Sequence, residues 1–254
     1  MVDRKLYIGL DLSLNHWGLV ALNHTSVVFE SYLTDKKKYM NIYSQVSLKD
    51  GCRDQFLHLP KKQGEDRDGY IARRRGNLIG TLRSNLKALC EDHYFNDVYV
   101  CLEGYAYSAN TRSSYEIAEF IGCVKNWLYR YNVKLRIHDP LSVKMFATGG
   151  AKCLKKDMVL AAQDSGFKIS DALIKKTTKT ISIMKIKEEV EEYDGPGTDL
   201  ADAYWLARML RTEILVREGK IMLENLSDGK RRVFLRVSKA YPINLLDREF
   251  TCSI

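Results

Sequence analysis

The chain opens on three short runs rich in β-branched and aromatic residues, 5–12 (KLYIGLDL), 16–23 (HWGLVALN) and 26–33 (SVVFESYL). Ser13–Asn15 and Asn23–Thr25 separate them as tight turns, so the spacing predicts three strands paired antiparallel. From 34 to 70 the pattern dissolves into KKK, RDQ and PKKQGEDRDG, which reads as a functional loop or an insertion. Leu78, Ile79, Leu82, Leu86 and Leu89 then recur at helical spacing within 73–91. A strand follows at 97–103, a helix at about 113–131, a strand at 133–138 and a helix at about 152–164. Residues 165–195 join a basic KKTTKT to an acidic KEEVEEYDGPG and read as a solvated insertion. Gly195-Pro196-Gly197 breaks the chain before Thr198, the expected N-cap of a last core helix. Beyond about 216, KRRVFLRVSKAYP reads as a basic, strand-like piece.

Strands separated by helices pair in parallel through crossovers, whereas the first three pair through hairpins. The economical arrangement is an α/β fold: a mixed five-stranded sheet flanked by helices over 1–215, with insertions at about 34–70 and 165–195. Residues 216–254 form a C-terminal extension.

Against this pattern four acids stand out. Asp11 lies inside the run YIGLDLSL, Glu103 ends VYVCLEG, and Asp199 and Asp202 open GTDLADAYWLARML. A carboxylate among apolar neighbours is costly unless a cation compensates it. No Lys or Arg adjoins the four in sequence, which points to a divalent metal. With the 5–12 and 97–103 strands as central neighbours, Asp11 and Glu103 project to the sheet end where ligands collect. Asp199 and Asp202, three apart, share a helix face with Cβ atoms about 5–6 Å apart, and the helix N-terminus favours their ionised forms. Oxygen-rich sets of this kind suit magnesium, with manganese able to substitute. Two such ions about 3.5–4 Å apart clamp the attacking and leaving oxygens of a phosphodiester.

Charge sharpens that picture. The 254 residues carry 40 Lys+Arg and 32 Asp+Glu, a net +8, which fits a polyanionic partner, nucleic acid first. At 45% hydrophobic and 4 prolines the chain reads as folded. MVDRKLYIGL has no long apolar core, so no signal peptide is expected, and no apolar run approaches the roughly 18 residues of a membrane span. The six cysteines form no C-x-x-C pair and suggest a reducing, cytoplasmic setting, with Cys101 and Cys123 expected as buried thiols.

Four blocks, YIGLDLSLNHWG, VCLEGYAYSANTRSSYEIAEFIG, DPLSVKMFATGGAKCLKKDMV and GTDLADAYWLARM, resemble in content and order those of RuvC-type Holliday junction resolvases. The resemblance covers about 150 residues and leaves out the insertions and the tail. It implies a ribonuclease H-like fold and a homodimer that resolves four-way DNA junctions by paired symmetric nicks, in a host cytoplasm if the chain is of viral or phage type. By it, Asp11, Glu103, Asp199 and Asp202 correspond to the metal-binding catalytic acids. Lys152 corresponds to a lysine beside the scissile phosphate, where a residue behind two glycines can approach the backbone closely.

The second block departs at Ala106, where the family places an aromatic that opens base pairs. Tyr105 or Tyr107 is then the candidate to stack on an unpaired base, a contact contributing roughly 1–3 kcal/mol. Asn110 and Arg112 share that loop as DNA-binding candidates. Lys155 and Lys156 share the basic stretch after Lys152, the triplet Arg73, Arg74 and Arg75 is placed to track phosphate, and Lys36–Lys38 reads as a solvated run. The alternative readings are an endonuclease for flaps, forks or other branched DNA, an actin-like ATPase, and a noncatalytic branched-DNA-binding module. The ATPase fold needs a second phosphate loop that the chain does not show. The 165–195 insertion has a second reading as a mobile DNA-facing element.

Overall fold

In the computed structural model, residues 5–14, 16–34, 52–56, 61–93, 97–104, 112–183, 186–236 and 245–248 are described. Strands β1 (Lys5–Leu12), β2 (His16–Leu22) and β3 (Val27–Thr34) form the expected antiparallel meander. Strand β4 (Cys52–Phe56) follows, then helix α1 (Arg67–His93), β5 (Asp97–Glu103), α2 (Arg112–Arg130) and β6 (Lys134–His138). After β6 come α3 (Pro140–Thr148), α4 (Lys155–Asp164), a hairpin of β7 (Lys175–Ile183) and β8 (Ile186–Asp194), then α5 (Pro196–Arg217) and α6 (Asp228–Leu235).

The sheet order is β4-β3-β2-β1-β5-β6, with β5 and β6 parallel to β1. The five expected strands are thus present as a mixed sheet, three antiparallel and two parallel to the first. The sixth, β4, comes from within 34–70 and adds in parallel to the free edge of β3. Its five residues (CRDQF), three of them polar, carry no alternation of apolar and polar positions, so that strand exists by pairing, not by local pattern.

Alternation in the central strands sorts side chains to two cores. Leu6, Ile8, Leu10, Val100, Leu102 and Leu135 pack against Leu78, Leu82, Leu86 and Leu89 of α1 and against Phe120, Val124 and Leu128 of α2. Burying each such leucine contributes roughly 1.5–3 kcal/mol. Tyr7, Val20, Tyr99 and Cys101 face the other way, onto α5 and the helices α3 and α4 behind it. Packed on both sides, α5 is apolar nearly all round, as a helix inside two layers must be.

Several local expectations change. The last core helix starts at Pro196, with Gly195 at the N-cap position at φ 108°, where a side chain would be strained. Thr198 instead lies buried in the first turn, its hydroxyl donating to the Gly195 carbonyl at 2.8 Å. Helix α3 has a signal the periodicity misses: Asp139 caps it, accepting from Ser142 N at 2.9 Å, and Pro140 takes the first turn. The tail run VFL is helical in α6, where Val233 and Phe234 bury against α3, Phe234 lying 5.9 Å from the Phe146 ring. A run that short fits strand or helix equally, and the docking site decides. The 165–195 segment is a hairpin whose base is held by buried Tyr193 and Ile174. Cys123 is exposed, unlike the buried Cys101. No helix among the described residues is long and apolar enough to cross a membrane.

Candidate active site

Parallel pairing brings Leu10 of β1 beside Leu102 of β5, so Asp11 and Glu103 follow at adjacent strand ends. By alternation both face the same side as Tyr7, Gly9, Tyr99 and Cys101, the side that carries α5. Two glycines let α5 reach them. A Cβ on Gly9 would lie 1.9 Å from the Ala203 carbonyl oxygen, and one on Gly18 would lie 2.3 Å from that of Asp199. With hydrogen at both positions and alanine at 203 and 207, the helix rests directly on β1 and β2. Asp199 and Asp202 in its first turns then meet Asp11, whose partner across β2 is Gly18.

The electrostatics record that meeting. Burial, then the charges of Asp199 and Glu103, push Asp11 well above the usual carboxylate range. Burial and the neighbouring Asp202 push Glu103 up to about 7, and burial with Asp11 and Asp199 pushes Asp202 up to about 8. Asp199 is buried, and its Oδ2 lies 2.8 Å from His16 Nδ1. The structure therefore brings together all four acids named from the sequence.

Of the lysines named from that stretch, Lys155 acts on the acids. Lys155, at the first position of α4, lowers the pKa of Asp11, Glu103 and Asp202. Partial desolvation pulls its own ammonium down, but Asp202, Asp199, Asp11 and Asp194 outweigh that and lift it. Lys144 of α3 acts likewise on Glu103 and Asp202. Lys152, in the turn before α4, and Lys155 are both solvent-exposed, and it is the charge of Lys155 that acts among the largest on Asp11, Glu103 and Asp202. Lys156 turns to the hairpin and pairs with Glu191 at 2.7 Å. The Asp139-Pro140 helix start was the available signal for Lys144; for His16 no local pattern exists.

The remaining candidates lie apart. Arg73 is held by both oxygens of Glu65 at 2.8 Å, Arg75 pairs with Glu119 at 2.6 Å, and Arg74 lies between them on α1. Arg112 begins α2. Tyr105, Ala106, Tyr107, Asn110 and Lys36–Lys38 fall outside the described residues.

Further along the same face a second polar group is sealed. Glu213 of α5 accepts from Arg136 of β6 at 2.8 Å and from Arg217 at 3.1 Å. Burial raises the Glu213 carboxyl and lowers the Arg136 guanidinium and the His138 imidazole. Arg136 and Arg217 also donate to the carbonyl of Arg248, tying residues 245–248 to this face.

The four acids offer the hard oxygen donors that magnesium or manganese takes. The raised pKa values of Asp11, Glu103 and Asp202 show carboxylates whose charge two lysines offset only in part, which a divalent cation would complete. Among the described residues no three His, Cys, Asp or Glu side chains stand at ligand spacing from a common point.

No family model matches the chain, and no curated protein does. Among solved structures it is similar to Thermus thermophilus RuvC, at 14% identity and a TM-score of 0.41, over 84% of this chain and 96% of that one. It is similar also to T. thermophilus RuvC in complex with a Holliday junction substrate, at 13% identity and a TM-score of 0.45, over the same shares of the two chains.

Proposed function

We propose that this protein is a divalent-metal-dependent DNA endonuclease that resolves four-way junctions by paired nicks, acting as a homodimer. The observation that carries the nuclease reading is the gathering of Asp11, Glu103, Asp199 and Asp202 from three elements onto one sheet end. There burial and mutual repulsion hold three of them above their ordinary range. Nothing in folding rewards that concentration of charge, so its use lies in what it binds. The four-block resemblance to junction resolvases supports the choice of branched DNA.

In this reading the four acids hold magnesium, or manganese in its place. The metal supplies Lewis-acid stabilisation of the phosphate and a more acidic attacking water. The protein's own part is positional and electrostatic. Asp199 and Asp202 are fixed by the close seat of α5 on Gly9 and Gly18, and His16 orients Asp199. Lys155 and Lys144 place positive charge where a phosphodiester enters, which favours both its binding and the charge that builds on its oxygens.

Asp11→Asn is expected to abolish magnesium-dependent cleavage of a synthetic four-way junction while binding in calcium or EDTA stays within about threefold. Undiminished nicking by that variant would overturn the metal-site assignment. Labelled junction, flap, fork and linear duplex, cleaved side by side, test the choice of branched substrate.

A further inference from the structure

Beside the carboxylates lies a groove of about 490 Å³ between the β1–β2 turn and the first half of α1. His16 belongs to both: its Nδ1 meets Asp199, and it lines the groove's wall. Arg67, Tyr70 and Arg74, and alongside them Ile71, Arg75 and Leu78, come from one face of α1 at the three- and four-residue spacings that stack side chains along a helix. The apolar residues of its lining are Leu14, Ile71, Leu78 and Ile117. Three arginines and one carboxylate, Glu116, line this space.

The arginine triplet divides here. Arg73 is committed elsewhere, bidentate to Glu65 and stacked on Tyr70 at 5.7 Å. Arg67 and Arg75 hold solvent-facing pairs with Glu116 and Glu119 at 2.9 and 2.6 Å. Exposed pairs of that kind contribute only about 0–1 kcal/mol, so a phosphate displaces them readily. A guanidinium offers a phosphate a planar fork of donors, and apolar walls with an aromatic edge suit a nucleobase. Small-ligand pockets run to about 300–1,000 Å³. A groove of this volume admits one small group and excludes a double helix.

We propose that the groove holds an unpaired nucleotide of the strand that enters the carboxylate site, its phosphate against Arg74 and Arg67 and its base beside Tyr70. The inference rests on the nuclease reading and adds a requirement to it: the strand next to the cleaved bond is single-stranded when bound.

The test is binding in EDTA, by fluorescence anisotropy, of a short oligothymidine and of a duplex of equal length. Arg74→Ala and Tyr70→Ala are each expected to weaken the single strand about tenfold and the duplex far less. For Arg74→Ala the log–log salt slope should also flatten by about 0.7. Arg83→Ala, on the same helix with its guanidinium 3.5 Å from the Tyr131 hydroxyl, is the charge control and should stay within about twofold. Arg74→Gln, which keeps the stem, guards against a loss through folding and should behave as Arg74→Ala. Equal losses in Arg74→Ala and Arg83→Ala, or equal losses on single strand and duplex, overturn the groove. Unchanged oligothymidine binding by Arg74→Ala, in a protein whose parent still cleaves junctions, overturns the groove alone. A parent protein that neither binds nor cleaves any nucleic acid removes both readings.

Discussion

The two faces of the sheet are built from the same strands and could hardly differ more. Toward α1 and α2, every alternate residue is apolar: Leu6, Ile8 and Leu10 on β1, Val100 and Leu102 on β5, Leu135 on β6. Toward α5 the same strands present Tyr7, Gly9 and Asp11, then Tyr99, Cys101 and Glu103, then Lys134, Arg136 and His138. The first face is generic hydrophobic burial, tolerant of rearrangement so long as volume is kept. On the second, a helix touches backbone, four acids crowd one end, and a buried ion pair is sealed under the later turns of α5. One face stabilises the fold, and the other sets the positions of charged groups at the expense of stability.

Adding a single methyl group tests the contrast most severely. Gly9→Ala places a Cβ into the α5 backbone and is expected to cost about 4 kcal/mol or more, or to prevent folding. Leu10→Ala, one residue away on the apolar face, removes three carbons and should cost about 2–5 kcal/mol. Urea unfolding compares the two, and a mild Gly9→Ala would mean that α5 does not sit as close as this. Next in size is the sealed pair. Glu213→Ala leaves Arg136 buried without its carboxylate and should cost about 3–5 kcal/mol, whereas Arg136→Met with Glu213→Leu should recover most of it. Equal losses in both would assign the effect to packing alone.

Activity separates the lysines. Lys155→Ala is expected to slow junction cleavage about 100-fold, and Lys152→Ala less than about threefold, with kcat measured at saturating magnesium. The reverse ranking would restore Lys152 as the phosphate-facing residue.

The smallest effect is a pH dependence. Metal-free folded protein keeps protons on Glu103 to about pH 7 and on Asp202 to about pH 8, and the unfolded chain releases them near pH 4. The folded state thus binds more protons between those limits, so stability in EDTA should fall as pH climbs from about 4 to 8. Asp202→Asn removes part of that penalty and should be more stable than the parent at pH 8 by roughly 1–2 kcal/mol, with little difference at pH 4. Parallel stability–pH curves for the two proteins would mean that Asp202 is not crowded by its neighbours.

Much of this was legible in the chain. Periodicity located β1, β2, β3, β5 and β6 and the long helices, because a two-residue or 3.6-residue repeat is written locally in which residues are apolar. The four acids were visible for the same reason: charge inside an apolar run, or paired at i and i+3 on a helix, breaks a local expectation. Short elements were not legible that way. CRDQF and DGKRRVFL have no dominant period, so β4 and α6 took their form from the β3 edge and from the α3 surface that received them.

The sequence by itself determined the five periodic strands, the long helices, and which four carboxylates are out of place. Only the tertiary structure decided that Lys155 and Lys144 act on those carboxylates, that His16 meets Asp199, and that Arg74 and not Arg73 lines the groove. Those outcomes depend on where α4 and α5 come to rest, and on which side of α1 turns inward. The resting places are set by contacts between residues nearly 200 positions apart, such as Gly9 against Ala203 and Gly18 against Asp199. A local pattern encodes a period and a face. It carries no information about the distance between two faces that meet only when the whole chain has folded.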